Sequence, residues 1–324
     1  MATLEVSFLH NQLEERKRRL QQAIALVPGD GSLAALLREV DSALNRMDKG
    51  TYGYCEECHE PVEQVRLLAD PLVRYCLDHL SASQRTALQR DLDLAAEVQR
   101  NLLPKPNLRA GVWETCYHYA PLGPVSGDYL DLIPSDGRLF FALGDVSGKG
   151  VAASMLMTQL HAMFRSLTAM SLPLRDIVTH ANRLFCESAL AGQYATLICG
   201  QAKPDGQVEI HNAGHLPAIA TGQGGVLRLE STGLPLGMFC EAEFAPTRLQ
   251  LDPGDSLFLY TDGLSEARCA DDEYGVERIV SLIGKQSGRA PADLIGACLG
   301  DVRNFVGSEP YSDDLTMLSI QRKQ

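Results

Sequence analysis

Four potential metal ligands in two close pairs constrain the N-terminal part of the chain more than any other feature. Cys55 and Cys58 are separated by two residues, 17 residues follow, and Cys76 and His79 are again separated by two. Zinc prefers four cysteine or histidine ligands in a tetrahedron, and two turns that each supply a pair meet that preference. Because four protein ligands leave no open position, the pattern predicts one structural zinc ion. His59 lies outside the paired spacing and ranks below His79 as the fourth ligand.

Helical patterns flank this cluster on both sides. Apolar residues three or four positions apart predict helices over 4–26 and 33–47, and the break between them predicts a helical hairpin. A third helix is predicted over 82–103, ending at Pro104. Within it an apolar residue recurs every seventh position, which forms a short heptad seam. That seam fits either a dimerising linker or a helix packed on its own domain.

Composition excludes several classes of protein. The 324 residues carry 29 basic and 41 acidic side chains, and the formal net charge of −12 argues against binding nucleic acid over a broad surface. The nine cysteines are an odd number, which argues against a disulfide framework. No run approaches the roughly 18 apolar residues that cross a bilayer, and the N-terminus lacks a signal-peptide pattern. We therefore expect a cytoplasmic protein without a membrane anchor.

The pattern of the chain changes after residue 107. Short apolar runs at 139–143, 195–199 and 256–260 predict strands, and Asp-Gly and Pro-Gly pairs beside them predict turns. Longer stretches at 151–170, 174–190 and 291–306 predict helices. Because strands cluster before and after a central helix pair, the fold class is predicted to be α+β with antiparallel sheets.

Four aspartates stand at strand ends or turns beside small residues. These are Asp128, Asp145, Asp262 and Asp313. An aspartate in such a place is a natural ligand for a hard divalent cation, since glycine lets the backbone approach closely. A set of them can hold two Mg²⁺ or Mn²⁺ ions about 4 Å apart, which suits phosphoryl chemistry.

The glycine-rich segment around Lys149 does not match a phosphate-binding P-loop. That loop requires Gly-x4-Gly-Lys followed by Ser or Thr. Here only three residues separate Gly144 from Gly148, and Gly150 follows the lysine. The segment therefore gives no basis for predicting a nucleotide site.

The acidic motifs, taken in order, resemble the PPM-type (PP2C-like) serine/threonine phosphatases, and specifically their SpoIIE/RsbU branch. The resemblance covers roughly residues 90–322. Its motifs are AEVQRNLLP (96–104), GDVSGKGV (144–151), NAGHLP (212–217), STGLPLG (231–237), YTDG (260–263) and DDLT (313–316). It implies an αββα sandwich of two antiparallel sheets and a phosphoprotein phosphatase that uses two Mn²⁺ or Mg²⁺ ions.

The resemblance also assigns roles to residues. It implies that Asp145 bridges both cations, that the Val146 carbonyl binds one, and that Asp262 and Asp313 hold the other. Asp128 is expected to act mainly through bound water. Two cations in such a site would make a water molecule acidic enough to attack phosphorus in line.

Three further residues have open roles at this point. Asp314 stands where other branches of the family have asparagine. Asp131 is expected to have a supporting or structural role. His215 could act as a general acid, but its place beside Gly214 and Pro217 favours a structural turn residue.

The segment that ends at Cys58 resembles a different family, the DksA/TraR zinc-finger proteins. The similarity is carried by LREVDSALNRMDKGTYGYCEEC (37–58) and continues through EPV (60–62). Members of that family insert a helical hairpin into RNA polymerase. This implies an alternative function, in which the chain is a transcription regulator that contacts RNA polymerase through its zinc module.

Together these patterns predict four segments. They are a helical hairpin (1–54), a DksA/TraR-like zinc finger (55–80), a linker helix (81–107) and a phosphatase domain (108–324). The expected substrate is a phosphorylated protein, by resemblance a STAS-domain anti-sigma-factor antagonist in partner-switching signalling. We expect a homodimer whose zinc module regulates the phosphatase through dimerisation or redox-sensitive zinc release. A degenerate phosphatase that serves as a scaffold is disfavoured, since all four acidic motifs are present.

Overall fold

Two helices begin the N-terminal unit, which comprises residues 1–91, while residues 92–324 form a second unit. The computed structural model describes residues 3–26, 31–80, 82–170, 172–189, 192–270 and 272–323. Helix α1 (Thr3–Leu26) packs on α2 (Gly31–Asp48), close to the predicted bounds. The predicted break at 28–32 lies largely outside the described residues. The domain boundaries at 54, 80 and 107 stay predictions.

The apolar stripes of the two helices form one small core with the segment that follows them. Leu13 on α1 and Val40 on α2 are buried together with Tyr52 and Leu67. The segment contributes helix α3 (Gln64–Ala69) and a short 3₁₀ turn at Leu77–His79. The zinc-finger residues therefore share a core with the helical hairpin, which a segment of this size needs because it has little apolar surface of its own. Helix α4 (Ala82–Leu102) comes next in the chain.

The second unit contains thirteen strands and five further helices among its described residues. The strands are β1 (Asn107–Ala110), β2 (Trp113–Ala120), β3 (Asp128–Ser135), β4 (Arg138–Val146), β5 (Ala195–Ala202), β6 (Gln207–Ala213), β7 (Ala218–Gly222), β8 (Gly225–Leu229), β9 (Pro246–Gln250), β10 (Ser256–Tyr260), β11 (Arg268–Cys269), β12 (Asp272–Glu273) and β13 (Leu315–Arg322). The helices are α5 (Gly150–Ala169), α6 (Leu174–Ser188), α7 (Asp262–Ser265), α8 (Val276–Lys285) and α9 (Pro291–Val306).

The strands build two antiparallel sheets that pack face to face. One sheet has the order β1-β2-β13-β10-β7-β8 and the other β3-β4-β5-β6-β9, while β11 and β12 form a separate hairpin. Side chains alternate between the faces of each strand, so Leu130 and Leu132 enter the core between the sheets while Tyr129 faces outward. Helices α5 and α6 cover one outer face and α8 and α9 the other. The predicted α+β sandwich is confirmed. Within the described ranges, every helix is too short or too polar to cross a membrane.

One carboxylate is fully buried on the outward face of β3 and is held by an ion pair. Asp131 is 0% exposed, and Arg165 on α5 donates to both of its oxygens at 2.6 and 2.7 Å. The Leu132 N–H also donates to Asp131, and His161 Nδ1 lies 3.7 Å away. Asp131 therefore fixes α5 on the sheet, which gives it the structural role expected from the sequence.

Replacing Arg165 with alanine should destabilise the second unit strongly. Removing one partner leaves the buried Asp131 carboxylate without its cation, which costs about 3 kcal/mol. Arg183→Ala is the matched control, because Arg183 pairs with Glu187 on the exposed face of α6 and such a pair contributes about 0.5 kcal/mol or less. Chemical denaturation of both variants measures the difference. Equal stabilities would show that the Asp131 pair does not hold the helix on the sheet.

Candidate active site and zinc site

The predicted ligand aspartates lie at the ends of strands that the sandwich brings together. Asp128 opens β3 and is paired in register with Asp145, the penultimate residue of β4. Asp262 begins α7 directly after Thr261, while Asp313 lies two residues before β13. Because β10 and β13 are neighbours in the other sheet, Asp262 and Asp313 meet at one end of it.

Two glycines allow the backbone to approach closely here. A Cβ on Gly263 would lie 1.9 Å from the carbonyl oxygen of Asp314. A Cβ on Gly127 would lie 3.2 Å from the Val146 carbonyl oxygen and 3.3 Å from Asp145 Oδ1. A side chain cannot fit at Gly263 without moving the backbone, while at Gly127 it would be tight. The second contact also shows that the Val146 carbonyl and the Asp145 carboxylate face the same small space.

Asp128 is the most deeply buried of the four carboxylates. It is 1% exposed, and its Oδ2 accepts hydrogen bonds from the hydroxyls of Thr316 and Thr261, the latter at 3.0 Å. Burial raises the pKa of Asp128 well above its usual range, with the threonine hydroxyls opposing the shift and the Asp145 carboxylate adding to it. The two threonines therefore fix the orientation of a carboxylate that burial disfavours in its charged form.

The other three carboxylates line a cavity of about 490 Å³. Burial raises the pKa of Asp145 to about 7, and repulsion from Asp262 and Asp313 adds to the shift. Burial and then the Asp313 carboxylate also raise the pKa of Asp262. Crowded anions of this kind are stabilised when a cation binds among them.

This donor set fits divalent cations. It consists of carboxylate oxygens and the Val146 backbone carbonyl, which are the hard ligands that Mg²⁺ and Mn²⁺ prefer. The space that a Cβ on Gly127 would fill is bounded by two of these oxygens. The residues present could therefore hold the two cations that the resemblance implies.

Asp314 plays a part that the sequence pattern did not reveal. Its Oδ1 accepts a hydrogen bond from the Leu122 N–H at 2.7 Å. Its Oδ2 accepts from the Ser126 hydroxyl at 2.7 Å and the Gly127 N–H at 3.0 Å. Asp314 thus lines the cavity, and its carboxylate also holds the loop that leads into Asp128.

Gln99 on α4 forms hydrogen bonds with the same loop. Its amide nitrogen donates to the Ser126 carbonyl at 2.7 Å, and its amide oxygen accepts from the Ser126 N–H at 2.9 Å. Gln99 is only 5% exposed, and it lies within the motif AEVQRNLLP. A buried double hydrogen bond of this kind ties the end of α4 to the loop that leads into Asp128.

His215 is built into the wall of the cavity. Its Nδ1 lies 2.8 Å from the Thr196 hydroxyl and its Nε2 lies 3.1 Å from the Tyr260 carbonyl oxygen. Since a carbonyl can only accept, Nε2 carries the proton and Nδ1 accepts from Thr196. Burial lowers the pKa of His215 to about 4, so the ring is neutral at pH 7. Both nitrogens are engaged, which favours the structural role over the general acid.

The structure also brings together the four residues predicted to bind zinc. The ligand atoms of Cys55, Cys58, Cys76 and His79 all lie within 4.8 Å of one another. The sulfurs of Cys58 and Cys76 are 3.7 Å apart, and Cys76 Sγ is 3.2 Å from His79 Nδ1. Two sulfurs bound to one tetrahedral zinc at about 2.3 Å lie about 3.8 Å apart. The spacing therefore fits zinc ligation, and His79 rather than His59 completes the cluster.

Backbone N–H groups lower the pKa of the first cysteine, Cys55, and so favour the thiolate that binds a metal. Burial disfavours its thiolate, but the N–H groups of Cys58, Cys76 and Glu57 outweigh that effect and lower the pKa of Cys55 to about 6. The Glu56 N–H donates to the Arg74 carbonyl at 3.0 Å, which ties the two cysteine turns together. A thiolate is the form that binds zinc.

Several known proteins are similar to parts of this chain in sequence or in structure. Protein IcfG of Synechocystis sp. is 27% identical over 265 residues, which cover 72% of this chain and 41% of that protein. Phosphoserine phosphatase RsbP of Bacillus subtilis is 30% identical over 185 residues, or 55% of this chain and 46% of RsbP. The chain thus spans less than half the length of these two curated relatives. The SiaA-PP2C domain of Pseudomonas aeruginosa has the same fold, with a TM-score of 0.65 at 18% identity over 74% of this chain and 98% of that one.

Two family models match the chain and confirm both resemblances. The prokaryotic dksA/traR C4-type zinc finger matches residues 50–78, which include the three cysteines and end just before His79. The model of Stage II sporulation protein E (SpoIIE) matches residues 135–323, which is more than half of the chain and includes Asp145, Asp262 and Asp313. The chain therefore belongs to the SpoIIE family.

Proposed function

We propose that this chain is a metal-dependent phosphatase that removes phosphate from serine or threonine of a protein. The observation that carries the proposal is the cavity in which Asp145, Asp262 and Asp313 converge with raised pKa values for the first two. A strongly acidic cavity would repel a phosphate dianion unless cations bound there first. Similarity to a protein named phosphoserine phosphatase RsbP supports the same reaction.

The residues at the cavity have different proposed roles. Asp145 would ligate both Mn²⁺ or Mg²⁺ ions, the Val146 carbonyl would ligate one of them, and Asp262 and Asp313 would ligate the other. Asp128 acts through water, and the threonine hydroxyls keep its carboxylate in place. Two divalent cations in this site supply positive charge that makes a water molecule acidic and offsets charge on the phosphoryl oxygens. Gly127 leaves open the space beside the Val146 carbonyl and the Asp145 carboxylate, and Gly263 lets the turn at Asp262 approach Asp314.

Asp145→Asn and Asp262→Asn should each abolish metal-dependent phosphatase activity while the fold persists. Each change removes one negative charge from the cation site and relieves repulsion between neighbouring carboxylates, so stability should not fall. Asp293→Asn on the exposed first turn of α9 is the control and should keep full activity. Hydrolysis of p-nitrophenyl phosphate with Mn²⁺, together with circular dichroism, checks both points. Retained turnover in either site variant would refute the assignment of the ligands.

We further propose that the substrate is the phosphorylated form of a STAS-domain anti-sigma-factor antagonist. Support comes from the resemblance to the RsbU branch, whose members act in partner-switching signalling. The competing function is a transcription regulator that contacts RNA polymerase through the zinc module. It is less supported, because the zinc-finger match covers only residues 50–78.

Phosphorylated STAS-domain proteins from the same cell should lose phosphate when the full chain and Mn²⁺ are added. Mass spectrometry of each protein before and after treatment identifies the substrate, and the Asp145→Asn variant controls for contaminating phosphatases. A pull-down with RNA polymerase run in parallel tests the alternative. Stable capture of polymerase without loss of phosphate from any STAS-domain protein would favour the transcription regulator.

The chain is also proposed to act as a homodimer that the zinc module regulates. Helix α4, which follows the module in the sequence, exposes the apolar side chains of Leu88, Leu94 and Val98. Near its end, Gln99 holds the loop before Asp128 through two buried hydrogen bonds. A change in α4 on dimerisation would therefore reach the proposed cation site through Gln99.

Cys76→Ser should remove the zinc ion, lower the mass in solution from that of a dimer to that of a monomer, and reduce turnover several-fold. A mutation is preferable to a chelator, because a chelator would also strip cations from the phosphatase site. Cys269→Ser is the control, since Cys269 lies on β11 and is not part of the metal cluster. Light scattering, zinc analysis and turnover are measured on the same samples. Loss of zinc with unchanged mass and turnover would contradict the regulatory proposal.

A further inference from the structure

One basic residue stands at the proposed phosphatase site without a role so far. Lys149 is flanked by Gly148 and Gly150, whose φ angles of 95° and 73° are conformations that residues with side chains rarely adopt. A Cβ on either glycine would meet nothing within 4 Å, so the backbone around the lysine is open on both sides. The glycine-rich segment around Lys149, which does not match a P-loop, thus places a lysine at the wall of the acidic cavity.

In the structure this lysine is paired with a proposed cation ligand. Lys149 Nζ donates to Asp313 Oδ2 at 2.7 Å and to the Ser312 carbonyl oxygen at 3.1 Å. The lysine side chain is 65% exposed. An exposed pair of this kind contributes little to stability, and the long aliphatic stem of lysine can turn to another anion at small cost.

Lys149 also contributes a positively charged side chain to the cavity. Among the described residues that line the cavity, the basic side chains are Lys149 and His215, and the histidine ring is neutral at pH 7 because burial lowers its pKa to about 4. The remaining ionisable neighbours include the carboxylates of Asp145 and Asp262. A phosphate group that enters the cavity therefore meets one ammonium group of the described chain.

We propose that Lys149 is a substrate-binding residue that changes partner when the site is loaded. Before cations bind, its ammonium group neutralises Asp313. With Asp313 engaged as a cation ligand, the ammonium group of Lys149 would leave that carboxylate and donate a hydrogen bond to a non-bridging oxygen of the substrate phosphate. This assignment rests on the proposed phosphatase function and extends it, since it gives the lysine of the GDVSGKGV motif a contact with the substrate phosphate.

The test compares Lys149→Met, which keeps an unbranched apolar stem, with Lys149→Arg, which keeps the charge. Inorganic phosphate is the probe, as an inhibitor of p-nitrophenyl phosphate hydrolysis by the full chain with saturating Mn²⁺. The inhibition constant of phosphate should rise about tenfold in Lys149→Met and stay within about threefold in Lys149→Arg, because a charge-assisted hydrogen bond is lost only in the first. Lys203→Met is the control, since Lys203 contacts Gln207 on the surface.

A second readout does not depend on turnover. Calorimetric titration of Mn²⁺ into Lys149→Met should give unchanged or up to about fivefold tighter binding, because the competing ammonium group is gone. Weaker Mn²⁺ binding would show that the lysine positions Asp313 for the metal and would overturn the proposal. An unchanged inhibition constant in an active Lys149→Met protein would overturn it as well, leaving the phosphatase function intact. If wild-type protein with Mn²⁺ hydrolyses no phosphate ester, the phosphatase proposal fails and this one fails with it.

Discussion

The close approach of two backbone segments at Gly263 is the constraint on which the rest of the site depends. The Asp262–Gly263 turn lies so near Asp314 that a Cβ would come within 1.9 Å of its carbonyl oxygen. That contact sets Asp262 beside Asp313, while β3 and β4 place Asp128 opposite Asp145 in the other sheet. Two sheets packed through an apolar core hold these ends in register, so the sandwich acts as a rigid frame for a group of like charges.

A cluster of carboxylates this close together is unfavourable unless its negative charge is offset. Burial and mutual repulsion raise the pKa values of Asp128, Asp145 and Asp262. The chain offsets part of this cost with threonine hydroxyls at Asp128 and the ammonium group of Lys149 at Asp313. Divalent cations would offset the rest, which links the charge of the cavity to the proposed chemistry.

The sequence indicated six of the nine α-helices and three of the thirteen strands among the described residues, together with the residues that gather at both candidate metal sites. Local patterns were sufficient for this, because apolar periodicity predicts helices and strands, and paired cysteines predict a zinc cluster. Helix α8 was missing from the predicted elements, although Ile279, Leu282 and Ile283 on it follow the helical period. Its short length made that pattern difficult to separate from a strand.

The supporting contacts could not be predicted, because they join residues far apart in the chain. Thr316 reaches Asp128 across 188 positions, and Ser126 reaches Asp314 across the same number. Apolar periodicity and turn patterns do not distinguish these hydroxyls from those of surface serines and threonines. The ion pair of Asp131 with Arg165 likewise depends on how α5 packs on β3. Such partners are determined by tertiary packing, whereas three of the four candidate ligand aspartates, Asp128, Asp145 and Asp262, have a glycine directly beside them in the sequence.

The most direct test of the account is the location of the cations in a crystal of the full chain soaked in Mn²⁺. Anomalous scattering near the manganese edge distinguishes bound Mn²⁺ from water. The account predicts two peaks about 4 Å apart, both within ligand distance of Asp145, with Asp262 and Asp313 at one of them. A map with no peak at Asp145, or with manganese only elsewhere on the chain, would contradict it.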